Sequence, residues 1–385
     1  MTETIDLDEL RVLATESPDR PVLSVYARTD PRDPANTNHT PAWQIELRNG
    51  LRAVAERLDD DGDRLQRRSF ETLRARVERG LAELSPSERG RSVVWFLHAD
   101  GETSRRLSLQ LPVRRDAVVW DDRPFVSPLV DVVDRGAATG VVLVGGDSVR
   151  LLQIRAGHID EPDDSTYELS LGDWRPFKAY ASANPARGQQ TVSHQEHYEA
   201  RVEEQRGKLF ETAAEATAKR AEGLGWERIV IAAEGQVATR FQAALPEQLR
   251  RRVITTLDHN VGHEDFAAIA TLLEPHLDAS WLERTRQAIA GAHERASAGG
   301  AGAIGPQETL EALAEGRVDH LILDPDHDFS SFAGSIPASI DGPRSMLAER
   351  AVEAAIAAGG RVSTLPVSDS KELLDADGMV ALLRY

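Results

Sequence analysis

The sequence predicts an α/β protein with more than one domain. Short apolar runs rich in β-branched residues, such as residues 92–97 and 228–233, are typical of buried strands. Between such runs lie longer segments in which apolar residues recur every three or four positions, the spacing of an amphipathic helix. The 385 residues correspond to two or three domains of ordinary size.

Residues 1–132 are predicted to form a first α/β domain. The spacing of Leu47, Leu51 and Leu58 places these residues on one helix face, and a run of aspartates after them predicts a break. The predicted elements, in order, are a helix over residues 4–14, a strand over 21–27, a helical segment over 43–86 broken at 59–63, and strands over 92–97 and 107–113.

Residues 133–260 are predicted to form a second α/β domain. Two apolar runs flank Gly145, Gly146 and Asp147, which is typical of a β-hairpin turn. The polar residues 172–195 lack apolar periodicity and are expected to form a long loop. The other predicted elements are a helix start within 125–133, a strand over 167–171, a long helix over 194–222, a strand over 228–233, a helix over 241–249 and a strand over 252–256.

Residues 261–385 are predicted to form a third domain in which helices and strands alternate, as in a small α/β/α sandwich. The predicted elements are helices over 264–275 and 280–296, a Gly-rich break over 299–302, a helix over 307–314, a strand over 320–324, a helix over 346–358, and strands over 361–366 and 379–385.

Composition excludes several classes of function. The net charge of −18 argues against a protein that coats nucleic acid through a diffuse basic surface. The absence of cysteine excludes disulfides, thiolate catalysis and metal–sulfur sites. The acidic start of the chain lacks the features of a secretory signal, and no run of 18 apolar residues occurs. A cytoplasmic location is therefore expected, with no membrane or DNA as partner.

The segment that carries chemistry is residues 184–194, which contains Gly188, Gln189 and Gln190 before the predicted long helix. Glycine allows backbone conformations that other residues resist. A glutamine amide both donates and accepts hydrogen bonds, so it can orient a water molecule and bind a charged oxygen. Arg187 can contact a phosphate group. Such a tip suits insertion into a narrow nucleic-acid cavity.

These residues resemble the bacterial archaeo-eukaryotic release-factor-like family, which is related to class-1 release factors, Pelota, Vms-type peptidyl-tRNA hydrolases and Balon-like ribosome factors. In catalytic members a Gly-Gly-Gln-Ser loop leads into a long helix, and Gly188, Gln189, Gln190 and Thr191 occupy that place here. Further similarity lies in residues 227–241, 307–323 and 378–385. The resemblance implies a three-domain release-factor-like architecture with an RNase H-like middle domain and a C-terminal α/β/α domain like the kink-turn-binding ribosomal proteins.

The resemblance implies a ribosome-associated translation factor that hydrolyses peptidyl-tRNA on stalled ribosomes. By this analogy Gln190 positions the attacking water and Gly188 shapes the loop, while Gln189 stands where the family has a second glycine. A non-Gly residue at that position is strained if the backbone there has positive φ. The implied partners are ribosomal RNA, tRNA and a translational GTPase. The expected RNA contacts are Arg175, Lys178, Arg187, Thr191 and His194, with the helix flank Arg201, Arg206 and Lys208 as a further candidate.

Two alternatives stay open. A non-catalytic ribosome-binding hibernation or stress factor is favoured by Gln189, and a metabolic α/β hydrolase or general binding module would need a pocket away from residue 190. No cofactor and no metal site is expected. The pairs His194/His197 and His259/His263 have metal-like spacing without an evident third ligand, and Asp324, Asp326 and Asp328 are interpreted as turn residues.

Overall fold

The computed structural model describes residues 5–16, 20–60, 63–101, 103–169, 185–258, 264–340 and 342–385, without the side chains of residues 86–87 and 185–198. Three sheets, each packed with helices, confirm the predicted α/β class. The chain divides into two compact units: unit 1 is Met1–Gly136, Ala156–His158 and Leu277–Tyr385, and unit 2 is Ala137–Arg155 and Ile159–His276. The predicted boundaries 1–132, 133–260 and 261–385 stay predictions.

The first sheet lies in unit 1 and is antiparallel, with strand order β3-β2-β1-β4. The elements of this region are α1 (Leu7–Thr15), β1 (Val22–Ala27), α2 (Ala42–Asp60), α3 (Arg64–Glu83), α4 (Pro86–Arg89), β2 (Ser92–His98), β3 (Ser104–Leu109), β4 (Ala117–Asp121) and α5 (Ser127–Arg135). The helix break near residue 60 is confirmed, because Asp63 caps α3 by accepting from two backbone N–H groups. Strand β3 begins earlier than the predicted 107–113, and β4 was not predicted.

The second sheet has the order β10-β9-β5-β6-β7, with β8 paired to β6. Its elements are β5 (Thr139–Val144), β6 (Ser148–Arg155), β7 (His158–Asp160), β8 (Thr166–Glu168), α6 (Pro185–Gly223), β9 (Arg228–Ala233), α7 (Gly235–Ala244), α8 (Glu247–Arg250) and β10 (Val253–Leu257). Strands β5, β9 and β10 are parallel, and β5 and β6 form the predicted hairpin across residues 145–147. The predicted helix over 241–249 is wrong in its bounds, since α7 begins at Gly235 and ends before Pro246.

The third sheet, with order β11-β14-β12-β13, completes unit 1. Its region contains α9 (Phe266–Ser297), β11 (Gly302–Ile304), α10 (Gly305–Ala314), β12 (Val318–Leu323), α11 (Leu347–Ala357), β13 (Arg361–Thr364), α12 (Lys371–Asp375) and β14 (Met379–Leu383). Helices α10 and α11 share a core with one face of this sheet, while Trp281 and Ile289 of α9 and Leu373 of α12 pack with the other. The predicted α/β/α sandwich is therefore confirmed.

Helix α9 corrects the prediction of two helices over 264–275 and 280–296. It continues through Pro275, although proline removes one intrahelical hydrogen bond. Buried Ile269 and Leu273 before the proline, and buried Trp281 after it, continue one apolar face and compensate for that loss.

One hydrophobic core joins the first and third sheets within unit 1. It combines Leu10 of α1, Tyr26 of β1 and Phe96 of β2 with Leu310 of α10 and Val352 of α11. The Tyr26 hydroxyl donates to the carbonyl of Phe125 inside this core. The opposite face of the first sheet packs against α2 and α3. These two sheet regions consequently form one packed body.

Candidate functional site

The sequence-predicted site falls largely outside the part of the chain that the structure describes. Arg175 and Lys178 lie outside the described residues altogether. For six further predicted residues only the backbone is described, and it belongs to α6: Arg187, Gly188, Gln189, Gln190, Thr191 and His194. Their roles stay predictions.

The backbone of α6 nevertheless corrects the predicted loop tip. The helix begins at Pro185, not near His194, so residues 188–190 lie in its first turns. Proline is favoured at the first helical position because its ring fixes a helical φ and its missing N–H is not needed there. Helical φ is negative, so Gln189 carries no left-handed strain in this conformation. The cost that positive φ would impose at this position therefore does not arise here.

Helix α6 is anchored to the second sheet by its C-terminal half. Its buried apolar face begins at Leu209 and continues through Phe210, Ala213 and Ala214. Phe210 meets Phe241 of α7 edge to face, with ring centroids 5.9 Å apart. The described side chains before Leu209, from residue 199 onward, are exposed or half-buried. The apolar packing thus fixes one end of a 39-residue helix whose other end begins with the Gly-Gln-Gln segment, residues 188–190.

The hairpin turn of β5 and β6 contacts the same helix. Arg206 donates from Nε to the carbonyl oxygen of Gly146 at 2.8 Å, and its guanidinium also lies 3.7 Å from the Asp147 carboxylate. Gly145 closes the turn by donating its N–H to the carbonyl of Ser148. The interpretation of residues 145–147 as a hairpin turn is confirmed, and the turn additionally holds α6.

The helix flank is less basic than its arginines and lysine suggest. Arg206 pairs with Glu203 at 3.1 Å and Lys208 pairs with Glu204 at 2.7 Å. The hydrogen bond from Lys208 lowers the pKa of Glu204, and the charges of Lys208 and Arg201 add to this effect. Arg240 of α7 also pairs with Glu203. The expected RNA-contacting flank is therefore interleaved with carboxylates.

The described residues contain no group of three or more His, Asp or Glu side chains arranged to hold a metal ion. His194 and His197 have no described side chain, and His259 and His263 lie outside the described residues. Asp324 accepts from the N–H of Asp326, and Asp328 accepts from the N–H of Ser330. The interpretation of these aspartates as turn residues is confirmed.

A buried polar network in unit 1 has the residue types of a hydrolase triad in the wrong order. Ser363 Oγ donates to Asp134 at 2.6 Å, and His320 Nε2 lies 2.8 Å from the same Oγ. A nucleophilic serine needs the histidine between itself and the carboxylate, whereas here the serine lies between the other two. Burial and the charge of Arg361 lower the pKa of His320 to about 4, so the imidazole is neutral at pH 7. The network is structural, which disfavours a metabolic hydrolase centred on these residues.

Sequence analysis missed this network, because its members come from distant segments. Trp281 Nε1 also donates to Asp134, at 2.7 Å, and Arg284 and Arg361 lie within 3.2 Å of the same carboxylate. Burial raises the pKa of Asp134, but the two arginines and the hydrogen bonds from Ser363 and Trp281 bring it below its ordinary value. Asp134 is therefore a charged anchor between α5, α9 and β13.

Comparison with known families identifies the middle of the chain. Residues 124–280 match the model of the bacterial archaeo-eukaryotic release factor family 10. The matched segment contains the whole second sheet and α6. The expected likeness to the bacterial archaeo-eukaryotic release-factor-like family is confirmed for this part of the chain.

Individual relatives are more distant. The chain is 22% identical over 259 residues to the uncharacterized protein YocB of Bacillus subtilis strain 168, covering 67% of this chain and 93% of YocB. Among solved structures, a model of ribosome-bound archaeal Pelota with ABCE1 matches 99% of this chain and 96% of its own, at 12% identity and a TM-score of 0.41. Dom34 of Saccharomyces cerevisiae, a translation termination-like factor interacting with Hbs1, matches 79% of this chain and 81% of its own, at 10% identity and a TM-score of 0.40. No helix in the described ranges is long and apolar enough to cross a membrane.

Proposed function

We propose that this chain is a ribosome-directed translation factor that hydrolyses peptidyl-tRNA on stalled ribosomes. The observation that carries the proposal is the release-factor family match over residues 124–280. This segment includes the Gly-Gln-Gln segment at the start of a helix whose far end is packed on a sheet. Such an arrangement can hold a short polar segment well away from its supporting core.

The proposed chemistry is transfer of the peptidyl group from tRNA to water. Gln190 orients the water through its side-chain amide, and the peptide ester lies next to it in the ribosome's peptidyl-transferase centre. Backbone N–H groups in the first turn of a helix have no intrahelical acceptor, so those of Arg187 and Gly188 can stabilise a developing oxyanion. Orientation and charge stabilisation then supply the rate, and no strong general base is required.

The partners follow from the same proposal. Ribosomal RNA and tRNA are the expected contacts of Arg175, Lys178, Arg187, Thr191 and His194. A translational GTPase is the expected delivery partner, and a cytoplasmic location is expected. Because the chain carries a net charge of −18, we expect a modest ribosome affinity that falls steeply as salt concentration rises.

A second candidate function is ribosome binding without hydrolysis, as in a hibernation or stress factor. The observation that favours it is Gln189, which replaces the second glycine of the catalytic segment. If the active segment must leave the helical conformation and take positive φ at this position, Gln189 opposes that change. Both candidates share the ribosome and differ only in whether the ester is cleaved.

The decisive experiment measures peptide release from purified ribosomes that carry peptidyl-tRNA in the P site. The wild-type chain is expected to release peptide, and Gln190→Ala is expected to lower the release rate by roughly 10²–10³, the usual loss for a group that positions or stabilises the reacting centre. Gln189→Gly is expected to raise the rate or leave it unchanged.

Gln205→Ala is the matched control, because it removes a glutamine from the same helix outside the Gly-Gln-Gln segment. It should leave release unchanged. Co-sedimentation with ribosomes across a salt series is measured in parallel. Binding without release supports the second candidate, release that survives Gln190→Ala refutes the assigned role of Gln190, and an absence of ribosome binding at low salt refutes both candidates.

A further inference from the structure

A cleft of about 420 Å³ opens in unit 1 between the first and third sheet regions. The parallel strands β12 and β13 both end at it, at Asp324 and Thr364. The start of α5 and the loop before β4 form its other walls. Ligands of α/β proteins commonly bind at the carboxyl ends of parallel strands, and the volume lies within the range of small-molecule sites.

One wall of the cleft carries an arginine with unused donors. Arg114 Nε donates to Asp131 at 2.7 Å, and Asp131 also accepts from Arg135 Nε at 2.9 Å. The Arg114 guanidinium lies 4.8 Å from the centre of the Trp281 ring, which fixes its plane. A guanidinium has five N–H donors, and the two Nη groups of Arg114 have no hydrogen-bond partner among the described residues. This wall therefore presents positive charge and donors.

The opposite wall carries a buried carboxylate. Asp324 is 5% exposed, and its two oxygens each accept one backbone N–H, from Asp326 at 2.8 Å and from Val367 at 2.9 Å. Within the described ranges it has no cationic partner. A carboxylate offers about four acceptor positions, so acceptor capacity remains. A buried charge without a partner of opposite sign is costly, and a bound cation would offset that cost.

The remaining walls complete the site. Arg115 and Asp326 pair with each other, and both side chains are about half exposed. Such a pair contributes little to stability, so either partner can exchange its contact for a ligand group at low cost. Pro128, Pro325 and Pro366 add apolar surface. The cleft thus combines a cationic wall, an anionic wall and an apolar lining.

We propose that this cleft binds a small zwitterion, a free α-amino acid. The ligand carboxylate accepts from Arg114, its ammonium group donates to Asp324, and an apolar side chain packs on the prolines. A simple anion or a simple cation satisfies one wall and leaves the other unpaired, so electrostatic complementarity favours a molecule with both charges. The site is independent of the Gly-Gln-Gln segment, and the inference does not rest on the proposed function.

The test is isothermal titration calorimetry of the full chain with L-leucine, L-valine and L-methionine. At least one of these amino acids is expected to give saturable heat and to raise the melting temperature. Two probes lack one charge each: 4-methylpentanoate lacks the ammonium group and 3-methylbutylamine lacks the carboxylate. Each is expected to bind about tenfold more weakly or worse, since a hydrogen bond between charged groups is lost. Inorganic phosphate serves as a probe for a simple anion site.

Asp324→Asn removes the anionic wall and is expected to weaken amino-acid binding about tenfold or more. If this variant does not fold, Asp326→Asn replaces it, because Asp326 is half exposed. Arg317→Ala removes an arginine that pairs with Glu315 elsewhere in the third sheet region and should leave binding unchanged. The proposal is overturned if no amino acid gives saturable binding, if a singly charged probe or phosphate binds as well, or if the cleft variants bind like wild type.

Discussion

The two units of the molecule bury polar groups in different ways. The core of unit 2 is apolar, and the arginines that tie its elements together are exposed, such as Arg220, which donates to the carbonyl oxygens of Asp163 and Asp164. Unit 1 instead buries whole carboxylates where its first and third sheet regions meet, among them Asp134 and Glu349. Both carboxylates join groups from opposite ends of the chain.

The difference indicates two ways of fixing a geometry. Apolar packing in unit 2 holds α6 by shape, and it needs no particular polar partner. A buried carboxylate accepts only correctly placed donors, so the network in unit 1 penalises any other register between its two sheet regions. We therefore expect unit 1 to be the more sensitive unit to loss of a single polar side chain, and unit 2 to changes of volume.

The largest expected effect is at Asp134. Asp134→Ala leaves Trp281 Nε1 and Ser363 Oγ without their acceptor and leaves Arg361 and Arg284 without their carboxylate. Breaking a buried ion pair by removing one partner costs about 3–5 kcal/mol of the free energy of unfolding. Urea unfolding followed by tryptophan fluorescence measures the change.

Glu247→Ala is the control, because Glu247 pairs with Arg251 on the surface of unit 2 and both side chains are mostly exposed. Its loss is expected to cost less than about 1 kcal/mol. Equal effects of the two substitutions would contradict the contrast between buried and exposed pairs.

The next effect is a pH dependence that Glu349 gives to unit 1. Glu349 of α11 accepts from the N–H groups of Val126 and Ser127 at the start of α5, at 2.5 and 3.2 Å. Burial raises its pKa from 4.5 to about 7, against the lowering effect of these hydrogen bonds, and the charge of Glu353 raises it further. The folded state therefore binds the Glu349 proton more tightly than the unfolded chain does.

The sign follows directly from this difference. Between about pH 4.5 and pH 7 the folded state keeps a proton that the unfolded state has lost, so the free energy of unfolding falls as pH rises through this window. The shift corresponds to roughly 3 kcal/mol. Glu349→Gln is expected to reduce this slope, measured by urea unfolding at pH 5, 6, 7 and 8. His320, with a pKa of about 4, stays neutral over this range, and a slope unchanged in Glu349→Gln would refute the assignment.

The sequence predicts local elements of this molecule better than its long-range contacts. The turn at residues 145–147 was identified because its glycines lie between two apolar runs, and that pattern is local. The continuous helix through Pro275 was missed, because its stability comes from tertiary packing of Trp281 and its neighbours. Asp134 and Ser363 lie 229 positions apart, so no sequence spacing could predict their hydrogen bond.

The same limit applies to the candidate sites. Residues 188–190 were found from a short motif and a family resemblance, which need no folded context. The amino-acid cleft was not found, because Asp324 in the sequence is only an acidic turn residue. Its turn role is confirmed, and its buried position opposite Arg114 became visible only once distant segments were brought together.

The smallest expected effect tests the dependence of unit 2 on shape. A Cβ at Gly140 of β5 would lie 2.1 Å from the ring of Trp226, which is fully buried. Gly140→Ala therefore forces the indole to move and is expected to cost about 1–3 kcal/mol of the free energy of unfolding. Gly207→Ala is the matched control, since a Cβ there meets no atom within 4 Å and alanine is favoured in a helix interior, so it should stabilise by about 0.5–1 kcal/mol. Urea unfolding compares the two, and opposite signs are required if close packing, and not the polar contacts at the rim, holds this unit together.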